Sequence, residues 1–292
     1  MNAVTQAPAS ERGGTGKVAH RFMREINRNL VLHLLRGPEQ LSRVELSRRS
    51  ELSKPTVSAI VEDLLQDGLV VEVGAAPARP RGGRPPSLLA YSERAEMFAG
   101  IQFGVNTTHA AVADGRGTVV GRSTVPATRG DAQRGIENAL ELVHRLLRDS
   151  GSLASNLFSV GVAVPGLVDQ DSGVCTIAPN LGWRDVGVRS LISHATGCDA
   201  VVHNSTMMAA RAEGRDGAAR DVASYVWVYA GTGIGAAVVD AGAIAMGSRG
   251  YTGEIGHCPV ADDGPLCSCG NHGCLETVAS GKAIVQQVHD AI

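Results

Sequence analysis

Apolar residues near the start of the chain recur at helical spacing. Phe22, Ile26, Leu30 and Leu34 mark one face of a helix from Phe22 to Leu35, which Gly37-Pro38 ends. Ser42, with Glu45 three positions on, has the capping-box spacing and predicts a second, shorter helix that carries Val44 and Leu46 and runs to Arg48-Arg49. Ser50-Glu51-Leu52-Ser53 is short enough for a tight turn between helices. Ser53 can cap a third helix whose first turn accepts Pro55. That helix places Val57, Ile60, Val61, Leu64 and Leu65 at i, i+3, i+4, i+7 and i+8, leaving Lys54, Thr56 and Ser58 at its exposed N-terminal end. After Gly68 comes a short strand, Leu69-Val70-Val71, then a loop from Ala78 to Pro86 that sets Arg79, Arg81 and Arg84 among Gly and Pro.

Two helices, a short turn and a third helix form the arrangement in which the last helix enters the major groove by its N-terminal residues. A hairpin wing with arginines at its tip suits phosphate contact or a narrow minor groove. A generic three-helix bundle with a solvated linker shares the helix spacing; the polar helix start and the arginine-bearing wing favour operator DNA as the partner. Charge supports this. Residues 1–90 carry 13 Lys+Arg against 9 Asp+Glu, a balance of +4, whereas the whole chain is at −2. Candidate DNA-contacting residues are Ser53, Lys54, Thr56, Ser58, Arg79, Arg81 and Arg84. Residues 1–20, polar and without a signal-peptide core, read as a disordered tail, and 21–92 as a winged helix-turn-helix domain.

From residue 93 to 292 the pattern changes to short strands and glycine turns. Phe98–Val105, Ala110–Ala113 and Val119–Val125 read as a meander. Ile136, Leu140, Val143 and Leu147 mark an amphipathic helix, and Phe158–Val164 a buried strand. A strand at Ala200–Val202 leads into a helix near Met207–Glu213. The uncharged run Val222–Val239 reads as two buried strands about the turn Ala230–Gly235, not as a membrane span. Strands, a crossover helix and further strands make this region α/β.

Four of the six cysteines lie between Cys258 and Cys274. Cys267, Cys269 and Cys274 with one imidazole make a Cys3His tetrahedron for a structural Zn2+, a closed site with four protein ligands. His257, at loop distance before the thiols, is the candidate imidazole; His272 competes with it, and buried free thiols are the remaining reading. Cys175 and Cys198 have no obvious partner, which suits a reducing cytoplasm.

Val164-Pro165-Gly166-Leu167-Val168-Asp169, Ala178-Pro179-Asn180-Leu181-Gly182-Trp183, Gly231-Thr232-Gly233-Ile234-Gly235 and the block from Glu254 to Glu276 resemble the ROK family of repressors, open reading frames and sugar kinases. The front end is similar to the winged helix-turn-helix of the family's transcriptional-repressor branch, and Gly104-Val105-Asn106 resembles the xylose repressors. The resemblance implies an actin-like, ribonuclease-H-like α/β fold of two lobes with a sugar in the cleft. It implies sugar contacts at Asn180, Asn204, Glu254, His257 and Glu276. Family members run roughly a hundred residues further, so the second lobe is expected to be incomplete in this chain.

Two departures from the family's kinases bear on activity. Their Asp-x-Gly-Gly-Thr phosphate loop is replaced by Gln102-Phe103-Gly104-Val105-Asn106, where an amide replaces the acid and Val105 brings a Cβ to a place of close phosphate approach. Their Glu-Asn-Asp reads His203-Asn204-Ser205, and a serine cannot serve as the general base for the sugar hydroxyl. The expectation is a non-catalytic, sugar-responsive repressor of carbohydrate genes, acting as a homodimer or tetramer on a sugar or sugar phosphate. A bifunctional ATP-dependent sugar kinase, or a DNA-binding protein with a ligand-free body, are the alternatives. A nucleotide-turnover assay separates the first from the second, and a sugar-dependent thermal shift separates it from the third.

Overall fold

The structure, a computed structural model, describes residues 14–75, 86–93, 95–247 and 252–292. It divides into two compact units, one ending at Glu96 and the other running from Met97 to Ile292.

In the first unit, helix α1 (Gly14–Leu35) begins inside the segment read as a disordered tail. Apolar four-residue spacing extends back to Val18, and no proline follows Pro8 until Pro38, so nothing local stops the helix at residue 20. A two-residue strand β1 (Leu41–Ser42) precedes α2 (Arg43–Ser50) and α3 (Lys54–Gln66). The Ser42–Glu45 capping box is present with both reciprocal hydrogen bonds, and these hold the Glu45 carboxyl below its ordinary value. The turn between α2 and α3 passes through Glu51 at φ 59°. Strands β2 (Val70–Ala75) and β3 (Ser87–Tyr91) pair antiparallel, and β1 adds to β3, giving a sheet of order β1-β3-β2. Val31, Leu35, Leu46, Val57, Val61, Leu64 and Leu89 form the sealed core beneath it.

The unit reaches four residues past the boundary expected at 92 because Glu96 is tied into it. Its buried carboxylate accepts from the Tyr91 hydroxyl at 2.6 Å and from the guanidinium of Arg36, which also lies over the Tyr91 ring. Burial and the Glu96 carboxylate push the Tyr91 phenol far above its ordinary value. Glu96→Ala strands a cation and a phenol, a loss expected to cost on the order of 3 kcal/mol. Urea unfolding should register this as a lowered midpoint; an unchanged midpoint means the triad is not structural.

The second unit opens with β4 (Met97–Phe103), β5 (Thr107–Asp114) and β6 (Val119–Pro126), an antiparallel meander. Helix α4 (Ala132–Asp149) crosses over to β7 (Leu157–Val164), which lies parallel to β4. A small antiparallel sheet follows, β8 (Leu167–Asp169), β9 (Val174–Ala178) and β10 (Trp183–Val186), then α5 (Val188–Thr196) and β11 (Asp199–Asn204), parallel to β7. The central order β11-β7-β4-β5-β6, with its antiparallel meander and two added parallel strands, is the ribonuclease-H-like sheet. Its core packs one sheet face on α4 and α5 through Ile101, Val112, Val143, Leu147, Val162 and Ile192.

Helix α6 (Ser205–Asp216) starts the second lobe and packs on β12 (Tyr225–Ala230) and β13 (Ile234–Asp240), and β14 (Ala243–Ile244) pairs with β13. Here the structure departs from the expectation of two buried strands. Strand β12 is the edge of that sheet, and Val226 and Val228 are exposed on the face turned away from α6. Two short helices, α7 (Leu275–Ala279) and α8 (Gly281–Ala291), follow the cysteine block. Among the described residues no helix is long and apolar enough to cross a membrane.

Candidate functional site: a polar cleft beside a thiol cluster

A cavity of about 590 Å³ opens within the second unit. Asn180, Asn204, Glu254, His257 and Glu276 all line it, together with Val105, Ser205 and the turn Thr232–Gly235. The local sequence explains how they converge. Pro179 starts a 3-10 turn, Pro179–Leu181, that carries Asn180 off the end of β9. Asn204 ends β11 and Ser205 begins α6, so both stand at the carboxyl end of the sheet. Ile255–His257 is a second 3-10 turn, held against β13 because Gly256 has no side chain: a Cβ there would collide with the Ile234 carbonyl.

These groups are not equally free. The Asn204 carboxamide is the N-cap of α6; its Oδ1 accepts from the Thr206 and Met207 amides, and its Nδ2 donates to the Gly166 carbonyl at 2.9 Å. Both oxygen lone pairs are spent, which leaves one amide hydrogen for a ligand. Glu276 Oε2 accepts from the Ile234 amide at 3.2 Å. Glu254 is half-buried, with its Oε2 3.9 Å from His257 Nε2. Burial pushes its carboxyl above the ordinary value, His257 works against this, and Glu276 adds to it. The arrangement suits a neutral, polyhydroxylated ligand, since carboxylates and amides offer both acceptors and donors to hydroxyls.

The phosphate-loop position is pinned from the side. Arg129 donates to the Val105 carbonyl and to Asn106 Oδ1, each at 2.9 Å, and so ties the turn between β4 and β5 to the segment that leads into α4.

Behind the cleft, His257, Cys267, Cys269 and Cys274 bring one donor atom each to within 4.8 Å of one another. His257 Nδ1 lies 3.5 Å from Cys267 Sγ, and Cys269 Sγ lies 3.7 Å from Cys274 Sγ. A tetrahedral ion with sulfur bonds of ~2.3 Å has ligand edges of ~3.8 Å, so the donor set fits a metal of zinc's size and softness. The Asn271 amide holds the Cys269 thiol below its ordinary value. Burial and the two neighbouring sulfurs push Cys274 up to about 12, a shift that a bound cation reverses. His272 stands apart, exposed, facing the Gly264 carbonyl at 3.3 Å, and Cys258 is exposed outside the cluster.

At the front end, Ser53 caps α3: its Oγ receives the Thr56 amide and pairs with Thr56 Oγ1 at 2.8 Å, so these two hydroxyls serve the helix start. Lys54 and Ser58 are exposed beside them. Arg79, Arg81 and Arg84 lie outside the described residues.

A winged helix-turn-helix joined to a ribonuclease-H-like unit with a polyol-type cleft defines a DNA-binding transcriptional regulator with a sugar-kinase-like body. The chain belongs to the ROK family, whose model matches residues 98–291, and the MarR family model matches residues 29–79. It is 30% identical over 270 residues to a putative xylose repressor of Caldicellulosiruptor sp., covering 92% of this chain and 67% of that one. It is 30% identical over 267 residues to the xylose repressor of Bacillus subtilis, covering 91% and 69%. Among solved structures, a ROK family transcriptional regulator, a homologue of the Escherichia coli MLC protein, is 29% identical with a TM-score of 0.69, covering 92% of this chain and 68% of that one. A ROK family glucokinase from Streptomyces griseus with glucose and AMPPNP is 29% identical with a TM-score of 0.61, covering 67% and 62%.

Geometry also supplies residues the sequence reading did not single out. Tyr229, Arg184, Thr206 and Asn271 line the cleft. Tyr229 stands two positions before the glycine turn, which was the signal available for it.

Proposed function

We propose that this protein is a cytoplasmic repressor of carbohydrate-metabolism genes that binds a sugar without phosphorylating it and changes its hold on operator DNA in response. The observation that carries the reading is the meeting of Asn180, Glu254, His257 and Glu276 in one cavity with Ser205 at the position of a kinase base. Hydroxyl-pairing groups are kept where the catalytic carboxylate is replaced. Losing a positioned base costs on the order of 10²–10⁴ in rate, and the altered loop at Val105 adds to that loss. A structural Zn2+ on His257, Cys267, Cys269 and Cys274 would fix the segment that carries Glu254 and Glu276. Two-fold pairing of chains, as a homodimer or tetramer, would present two winged units to half-sites about one helical turn apart.

The test is operator binding by the purified protein with a panel of aldopentoses, aldohexoses and their phosphates. One sugar is expected to change operator affinity about 5–150-fold, equivalent to a coupling of roughly 1–3 kcal/mol. Glu254→Ala should remove that response and leave sugar-free operator binding near normal. ATP-dependent sugar phosphorylation at an enzyme-like rate would overturn the non-catalytic reading.

A further inference from the structure

A second cavity, of about 850 Å³, opens in the second unit and shares no lining residue with the polar cleft. Helix α6 contributes to both. Its first residues, Ser205 and Thr206, line the cleft, and Met207, Met208, Arg211 and Arg215 line the second cavity. The opposite wall is tied together by its own hydrogen bonds. Arg189 donates to the backbone carbonyls of Gln170 and Asp171, each at 2.6 Å, and Gln170 Nε2 donates to Met246 Sδ at 3.5 Å. The turn between β8 and β9 is thereby joined to the segment after β14.

Positive charge gathers in this cavity without a matching set of acids. Arg211, Arg215, Arg220 and His203 line it, and among the described residues Asp221 is its one lining carboxylate. Arg215 has an ordinary explanation, since it stands in the last turn of α6, where the helix dipole favours a cation, and 3.6 Å from Asp216. That explanation does not extend to Arg211, a turn earlier, or to Arg220, beyond the helix end. Among the described residues neither guanidinium enters an ion pair. Glu213 is spent elsewhere: its carboxylate accepts from the Ala218 amide at 2.9 Å. Burial, and after it the positive fields of Arg211 and Arg189, hold the His203 imidazole below its ordinary value. Beside the cations, Met207, Met208 and Met246 supply apolar surface that adapts its shape to what it meets. The volume falls within the roughly 300–1,000 Å³ of small-molecule sites.

We propose that this cavity is a second ligand site, which takes a small phosphomonoester, its phosphate on Arg211 and Arg220 and its organic group against the methionines. Guanidinium forks match phosphate oxygens, and charge-assisted hydrogen bonds of this kind are about twice as strong as neutral ones. The proposal does not rest on the reading of the cleft as the sugar site, because the two linings are separate.

The experiment is isothermal titration of phenyl phosphate, phenol and inorganic phosphate into the full chain and into the paired variant Arg211→Ala with Arg220→Ala. Phenyl phosphate is the probe because it carries no sugar hydroxyls for the cleft. Circular dichroism and a cooperative melt verify that each variant is folded. The parent is expected to bind phenyl phosphate with a Kd below about 1 mM and more tightly than either fragment, and the paired variant at least ~10-fold more weakly. A parent that takes up no phenyl phosphate in that range overturns the proposal, as does a folded paired variant that binds like the parent. Phenyl phosphate bound no better than inorganic phosphate removes the ester from the assignment. Binding lost in Arg184→Ala, the arginine of the cleft, and kept in the paired variant would place the anion in the cleft instead.

Discussion

Removing the metal, by chelation or by Cys274→Ser, is expected to abolish the sugar response while operator binding without sugar survives. The cluster lies in the second unit and α3 in the first, each with its own core, so loss of one need not unfold the other. Cys274 is fully buried and immediately precedes α7, whose second residue is Glu276; His257 lies three residues after Glu254. A tetrahedral ion bound to these residues would staple the two ends of the loop that delivers both cleft carboxylates. Structural zinc in small domains contributes roughly 10–16 kcal/mol of apparent binding energy that is also folding energy. Without it the loop from Glu254 to Glu276 keeps its backbone hydrogen bonds, among them Val260 to Gly273, Gly273 to Pro265 and Leu275 to Cys258, but nothing draws the three sulfurs and the imidazole together. The measurements are metal content by atomic emission, expected at one zinc per chain, and the sugar-induced shift in melting temperature before and after chelation. A full sugar shift in metal-free protein would refute the staple. Zinc retained in His257→Ala but lost in His272→Ala would replace one ligand and keep the rest.

Much of this was legible in the sequence, for identifiable reasons. Helices α2 and α3 could be placed by Ser42, Glu45 and Ser53 because capping is a local rule satisfied within four residues. The thiol cluster was legible because three cysteines within eight residues have few other uses at that spacing. His257 was preferred to His272 by its loop distance before the thiols, and the structure brings His257 to the cluster; what the sequence did not show is that Gly256 seats that turn on β13. The small sheet of β8, β9 and β10 escaped because its strands run three to five residues, too short for alternation to stand out. The dual duty of Asn204 was hidden for a related reason. Helix α6 begins at Ser205, earlier than its apolar residues suggest, which turns Asn204 into a cap whose carboxamide is mostly spent. Tyr229 was signalled by its place two positions before the glycine turn, but its alternation within β12 does not tell that the phenol lies against Gly231.

Operator affinity is expected to fall steeply with salt, by roughly 10³–10⁵ between about 50 and 200 mM if six to ten phosphates are neutralised across the assembly. The basic excess of the front end overstates the charge available for this. Arg24 pairs with Asp63 on α3 and Arg28 with Asp67 at its C-cap, Arg43 with Glu72, Arg49 with Glu39, and Arg36 with Glu96. The first two pairs link α1 to α3 and its cap, and the others tie α2 and Arg36 to neighbouring segments of the unit, so these cations already have carboxylate partners within it. Among the described residues Arg48 and Lys54 enter no such pair, and Lys54 opens α3 beside exposed Ser58. Lys54→Ala should thus weaken binding to all sequences alike and reduce the salt slope by about one. Ser58→Ala should instead change which operators bind, by roughly 1–3 kcal/mol at the base pair it reads, with the slope unchanged. Thr56→Ala acts through the helix start as well, since its hydroxyl pairs with Ser53, so part of its effect should appear as lowered stability. Arg81→Ala with Arg84→Ala is expected to behave like Lys54→Ala and to flatten the slope further, as phosphate contacts do. A salt slope that stays the same in Lys54→Ala and in the paired wing variant would place the DNA on a different face of the unit.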